Sequence, residues 1–191
     1  MGTRVYLCGR IAVAGDDLTI DQRALPGRQG RLAFALLCVE RRRPVSIDRL
    51  VQLLWEELPP PDPAGSLASI VSKLRAVMRR AGAGGPDVIS ATSGAYQMRL
   101  PTDTTVDLED ARNAIDHAEG ARRRGDVEKA WATATVATAI ARRGFLVGET
   151  SPWLDYVKAK GARVEIVPDT GHFTQLEQPE RVNQLIREVC R

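Results

Sequence analysis

The chain has 191 residues, 27 Lys and Arg against 24 Asp and Glu, 43% hydrophobic residues and three cysteines. That is room for one large domain or two small ones, and no run approaches the roughly 18 apolar residues of a membrane helix. Cys8, Cys38 and Cys190 are too scattered, and odd in number, for a disulfide framework or a metal cluster, and Met1–Arg10 has no basic-then-apolar leader pattern. The expectation is a soluble, cytoplasmic protein with no membrane partner, no cofactor and no metal.

The opening stretch has the alternation of strands: Val5 and Leu7, then Ile11 and Val13, with Gly15-Asp16-Asp17 as a turn before Leu18-Thr19-Ile20. Three helical patterns follow. Leu32, Leu36, Leu37 and Val39 lie on one side of the first, which Arg41-Arg42-Arg43-Pro44 ends. Ser46 is a good N-cap for the second, with Ile47, Leu50, Val51 and Leu54 at helical spacing. Glu56 to Pro63, with its run of prolines, reads as a loop, and a third helix opens near Ala64–Ser66. Its apolar stripe is Leu67, Ile70, Val71, Leu74, Val77 and Met78. Gly82 to Pro86 ends it. Val88–Thr92, the turn Ser93-Gly94 and Tyr96–Leu100 then read as a β-hairpin.

Pro101 to Val106 is the expected domain linker. Beyond it, Asp107 is placed to cap a helix with Leu108, Ala111, Ile115 and Ala118 on its apolar side. Gly125 turns the chain, and Asp126 caps a further helix bearing Val127, Ala130, Trp131, Ala134, Ala137 and Ala141. Two Ala-rich helices in succession suit close packing of the helical-repeat type.

Strands, three helices and a hairpin, in that order, make an α+β winged helix, and its central test is the outward face of the third helix. Opposite the apolar stripe lie Ser69, Ser72, Lys73, Ala76, Arg79 and Arg80, with Ser66 a turn earlier and Arg75 on the flank. Small residues let a helix sink into a major groove, where hydroxyls and cations reach base edges and phosphates. Thr92, Ser93, Gly94 and Tyr96 would form the wing, and Gln97 could reach the sugar–phosphate backbone. Arg28, Arg31 and Arg41–Arg43 add positive charge nearby. Residues 1–100 carry a net charge of +5 and residues 101–191 a net of −2, which suits a nucleic-acid-facing half and a protein-facing half. Scattered arginines and an ordinary amphipathic surface helix account for the same charges and spacing equally well.

Residues 1–101 resemble the response-regulator (OmpR/PhoB-like) winged helix in the form found in SARP-type transcriptional activators. Leu53-Leu54-Trp55, Ser69-Ile70-Val71-Ser72-Lys73-Leu74-Arg75 and Thr92-Ser93-Gly94-Ala95-Tyr96-Gln97-Met98 carry the resemblance. After a linker at residues 102–106, residues 107–155 resemble the start of the bacterial transcriptional activator domain, most specifically at Phe145 to Leu154. The resemblance implies a sequence-specific regulator of double-stranded DNA, often dimeric, that activates by contacting RNA polymerase. In that family the loop between helices two and three, here Glu56–Gly65, helps to contact the polymerase.

Residues 156–191 fit neither module. Gly161 to Phe173 has the pattern of a strand and a loop, and Pro179-Glu180 opens a helix with Val182, Leu185, Ile186 and Val189 on one face. This short β-α tail resembles the end of an α/β-hydrolase, with His172 at the position of the triad histidine. No Ser, Cys or Asp stands in a G-x-S-x-G setting, so no catalytic residue is assigned and the chain is not read as an enzyme. A hydrolase-like or fusion-remnant protein, and a helical interaction module without DNA binding, are the alternative readings.

Overall fold

The computed structural model describes residues 2–15, 18–56, 58–85 and 87–146. In chain order the elements are β1 (Arg4–Tyr6), β2 (Ala12–Ala14), β3 (Thr19–Asp21), α1 (Gly27–Val39), β4 (Val45–Ser46), α2 (Ile47–Trp55) and α3 (Pro63–Arg80). They continue with β5 (Ile89–Thr92), β6 (Ala95–Met98), β7 (Thr105–Val106), α4 (Asp107–Arg123) and α5 (Val127–Ala141). The result is a mixed α/β structure with five helices and two small sheets among the described residues.

The first sheet has the order β3-β2-β1-β7. Val5 lies opposite Val13, and Val13 opposite Ile20, so the alternating apolar residues share one buried face. β7 pairs with β1 in parallel. The stretch expected as a linker therefore contributes a strand, because its extended residues satisfy the free edge of β1. The second sheet, β4-β6-β5, contains the expected hairpin and a two-residue strand, β4, that propensity did not indicate.

α1 is enclosed rather than one-sided. Every residue from Leu32 to Cys38 is buried, including Phe34. A helix apolar on all sides belongs in a core, and α1 has α2, α3 and β6 packed around it. α2 begins as expected: the Ser46 hydroxyl accepts from the Arg49 N–H at 3.2 Å. α3 begins earlier than expected. Asp62 caps it by accepting from the Gly65 N–H at 2.9 Å, and Pro63 takes the first helical position, where its missing N–H costs nothing. Leu67, Val71, Leu74, Val77 and Met78 are buried as the stripe required, and Ile70 is half-buried. The C-terminus of α3 closes at Gly82, whose φ of 66° allows Ala83 N–H to reach the Met78 carbonyl at 2.9 Å.

α4 and α5 pack together across the turn at Gly125, and Asp126 caps α5 through the Lys129 N–H at 3.1 Å. Their apolar faces differ from expectation. In α4, Ala111 and Ala114 are buried while Ile115 is half exposed. In α5, Ala137 and Ile140 are buried while Val127 and Trp131 are each 76% exposed. Among the described residues α5 has α4 as its main neighbour, so it buries a narrow strip of small side chains. The end of the helical pair returns to the first sheet: Gly9 N–H donates to the Gly144 carbonyl at 2.6 Å, and Leu146 N–H to the Leu7 carbonyl at 3.2 Å. The segments at Trp153-Leu154, Gly161 to Phe173 with His172, and Pro179 to Val189 lie outside the described residues.

Candidate nucleic-acid interface

The packing of α3 decides which of its side chains reach solvent. With Leu67, Val71, Leu74 and Met78 turned into the core, Ser69, Ser72, Lys73, Ala76, Arg79 and Arg80 are all exposed, and Ser66 is half-buried. Among the described residues Lys73, Arg79 and Arg80 have no carboxylate partner. Three cations, two hydroxyls and one methyl thus share a single solvent-facing strip. The short Ser and Ala side chains along its middle leave the helix backbone open to close approach.

Arg75 is placed differently. Its Nε and Nη2 both donate to the Ile89 carbonyl oxygen, at 2.9 and 2.6 Å, and the side chain is partly buried. The guanidinium fork bolts α3 to the first residue of β5, so Arg75 holds the hairpin against the helix instead of extending from the helix face. Gln97 is also engaged: its Nε2 donates to the Arg41 carbonyl at 3.0 Å, away from the hairpin tip. Neither tie was visible from residue type and spacing.

The hairpin tip is exposed. Thr92 pairs with Ala95 across the turn Ser93-Gly94, and Gly94 takes the positive φ (75°) that a two-residue connection demands. Thr92, Ser93 and Gly94 face solvent, while Tyr96 is half-buried opposite Val45. The Gly94 carbonyl accepts from the Ile47 N–H at 2.9 Å, which fixes the tip against the start of α2. Arg75 at one end and this bond at the other give the hairpin a defined place beside α3.

The cations outside α3 divide into groups. Arg41 forms a bidentate pair with Glu109 of α4, Nε to Oε1 and Nη2 to Oε2, both at 2.6 Å. The hydrogen bond from Arg41 holds the Glu109 carboxyl below the usual carboxylate range, partly opposed by desolvation. Arg43 pairs with Glu40 at 2.7 Å, and Arg42 is exposed. Asp107, expected to cap α4, instead accepts from the backbone N–H groups of Leu7 and Cys8, at 2.8 and 3.0 Å, and is itself buried. Burial pushes the Cys8 thiol up to about 12, with Asp107 adding to the effect. Cys8 and Cys38 are free and buried. Among the described residues there is no group of three His, Cys, Asp or Glu able to hold a metal ion, and no helix long and apolar enough to cross a membrane.

No family model matches the chain. Over 93 residues it is 38% identical to the transcriptional regulatory protein EmbR of Mycobacterium tuberculosis and of Mycobacterium bovis, covering 48% of this chain and 24% of the relative. Over 99 residues it is 30% identical to the regulatory protein AfsR of Streptomyces coelicolor, covering 52% of this chain and 9% of the relative. Among solved structures, Mycobacterium tuberculosis EmbR in complex with a low-affinity phosphopeptide matches with a TM-score of 0.67 at 28% identity, over 75% of this chain and 37% of that one. The matched stretch is thus a quarter or less of the length of these curated relatives. The chain is similar to transcriptional regulatory proteins over about half its length, and its mixed α/β architecture matches part of the EmbR structure.

Proposed function

We propose that the chain is a sequence-specific, DNA-binding transcriptional regulator rather than an enzyme. α3 enters the major groove and the β5–β6 hairpin acts as a wing on the adjacent backbone. The observation that carries this reading is the solvent-facing strip of α3, where Lys73, Arg79 and Arg80 have no carboxylate partner among the described residues and flank Ser69, Ser72 and Ala76. Arg79 and Arg80, at the end of the helix, are placed for phosphates. Ser69, Ser72, Lys73 and Ala76 are placed for base edges and the groove floor. Thr92, Ser93 and Gly94 approach the sugar–phosphate backbone, with Tyr96 behind them.

The relatives named as transcriptional regulatory proteins support the reading. So does Leu58, 86% exposed in the loop between α2 and α3, where the family resemblance implies a contact with RNA polymerase. Activation through that contact, and binding as a homodimer, belong to the same proposal. A second reading, a helical interaction module that works through protein partners alone, is favoured by Val127 and Trp131 on the open side of α5.

The experiment is selection of genomic fragments with the purified protein, followed by affinity measurements on the enriched fragment across a salt series. A repeated motif bound far above random DNA is the expected outcome. Arg79→Ala and Arg80→Ala should each weaken binding and lower the salt slope by roughly one unit. Weak, sequence-blind binding with an unchanged slope in both variants would transfer the case to the protein-interaction reading.

A further inference from the structure

Among the described residues α5 packs mainly on α4, where Ala137 and Ile140 are buried, and most of its circumference is exposed. From Ala130 to Ala141 it carries no charged residue. At about 100° per residue, the direction opposite the buried strip is that of Thr135. Trp131 and Ala132 lie one turn before it on the same face, and Thr138 and Ala139 one turn after. Trp131, 76% exposed, is a side chain that buries about 150–250 Å2 when covered. The face is also prepared to lose its water. Thr135 Oγ1 donates to the Trp131 carbonyl and Thr138 Oγ1 to the Ala134 carbonyl, each at 2.9 Å. Both hydroxyl protons are engaged one turn back, so covering these threonines strands no donor.

The order of side chains along this face says what covers it. The bulky residue precedes Thr135 and the small ones follow it. The charges flank it evenly: Glu128 stands seven residues before and Arg142 seven after, and both are exposed. Seven residues are close to two full turns, so each charge lies within about 20° of the Thr135 direction. Arg142, just past the helix end, keeps helical backbone angles (φ −60°, ψ −21°) and so stays on the face. A second α5 turned end for end about a two-fold axis at Thr135 sets Trp131 over Ala139, Ala132 over Thr138 and Glu128 against Arg142, each of them twice. A parallel copy would set Trp131 on Trp131 and like charge on like. We propose that α5 is the seam of a homodimer, two copies packed antiparallel through this face. A foreign helix would require no such balance of size and charge about one residue. A single helix pair buries less than the roughly 1,200 Å2 of a standard interface, so the association is weak and concentration-dependent. The seam gives a surface to the homodimer of the regulator reading and rests on that reading only for its role at DNA.

The test is sedimentation equilibrium of the 191-residue protein, without DNA, across the micromolar range. A reversible monomer–dimer equilibrium is expected. Trp131→Ala removes an exposed side chain and should weaken it at least about tenfold. Glu128→Arg and Arg142→Glu each set like charges together twice and should each weaken it about threefold to tenfold. An equimolar mixture of these two variants, and the double variant Glu128→Arg/Arg142→Glu, should recover the wild-type constant, because both restore opposite charges across the axis. Matching thermal melts confirm each fold, and Trp131→Ala carries the test if a charge reversal unfolds. A monomer at every concentration overturns the proposal and gives the face to another part of its own chain or to a foreign partner. Dimers indifferent to Trp131→Ala overturn it as well, as do charge variants that show no recovery when mixed. Selection of DNA fragments with the same preparations separates the two readings. A dimer without specific DNA binding removes the regulator reading and leaves the seam standing, whereas specific DNA binding by a protein that stays monomeric does the opposite.

Discussion

Arg75 and Arg79 lie four residues apart on α3, yet their surroundings give them different work. Arg75 spends its fork on the Ile89 carbonyl, whereas Arg79 is exposed and, among the described residues, has no acidic partner. Charge-assisted bonds to a carbonyl are worth more than neutral ones, and losing this pair also leaves Ile89 with an unmet acceptor at the start of β5. Arg75→Ala should therefore lower unfolding stability by about 1–2 kcal/mol, with the salt slope of DNA binding left as in the wild type. Arg79→Ala should leave stability alone and reduce the slope. Urea denaturation and a salt titration on the same preparations read both quantities. A slope that falls by about one unit in Arg75→Ala would return that residue to the proposed DNA-binding face. Spacing alone placed Arg75 beside the interface, because helical periodicity reports direction and not the length of reach to a neighbouring strand.

Elements that carry their own signals were legible. Ser46 and Asp126 cap α2 and α5 through the N–H three residues on, and the α3 stripe buries Leu67, Val71, Leu74, Val77 and Met78. Elements made by distant pairing were not. β4 and β7 are two residues each, too short for any pattern, and exist because β6 and β1 offer them edges. α4 shows the same limit in a single carboxylate. Asp107 has the right chemistry to bind backbone N–H groups, but the donors it accepts from, Leu7 and Cys8, lie about a hundred residues away in sequence rather than in its own helix. Asp107→Asn replaces one acceptor oxygen by a donor that faces an N–H. It should cost about 2–3 kcal/mol and speed hydrogen exchange at the Leu7 and Cys8 amides, just beyond β1, more than at the amides of the first sheet. Protection at those two amides equal to that of the wild type would show that α4 docks without the carboxylate.

At the scale of the described molecule, the charge asymmetry of the sequence has a structural counterpart: the basic first part and the acidic helix α4 are joined by Arg41 and Glu109. Proline and polar residues around Pro101 suggested a free connection. Instead, β7 on β1, Asp107 on Leu7 and Cys8, and Gly144 on Gly9 fasten the helical pair to the first sheet. The ion pair adds a side-chain link that responds to pH. Its side chains are only 26% and 28% exposed, so solvent screens it less than a surface pair, and a contribution of about 1 kcal/mol is expected. The Glu109 carboxyl is held down by the hydrogen bond from Arg41. A group lowered on folding stabilises the protein fully above its unfolded value, about 4.3 for glutamate, and loses that contribution as pH falls through the folded value. Wild type should therefore be more stable than Glu109→Gln at pH 7, with the gap closing as pH falls below about 4. Thermal melts of both forms across that range read the difference directly. A gap that stays constant into acid would mean that Glu109 contributes by packing and neutral hydrogen bonding, and that the link between the two parts of the chain does not depend on its charge.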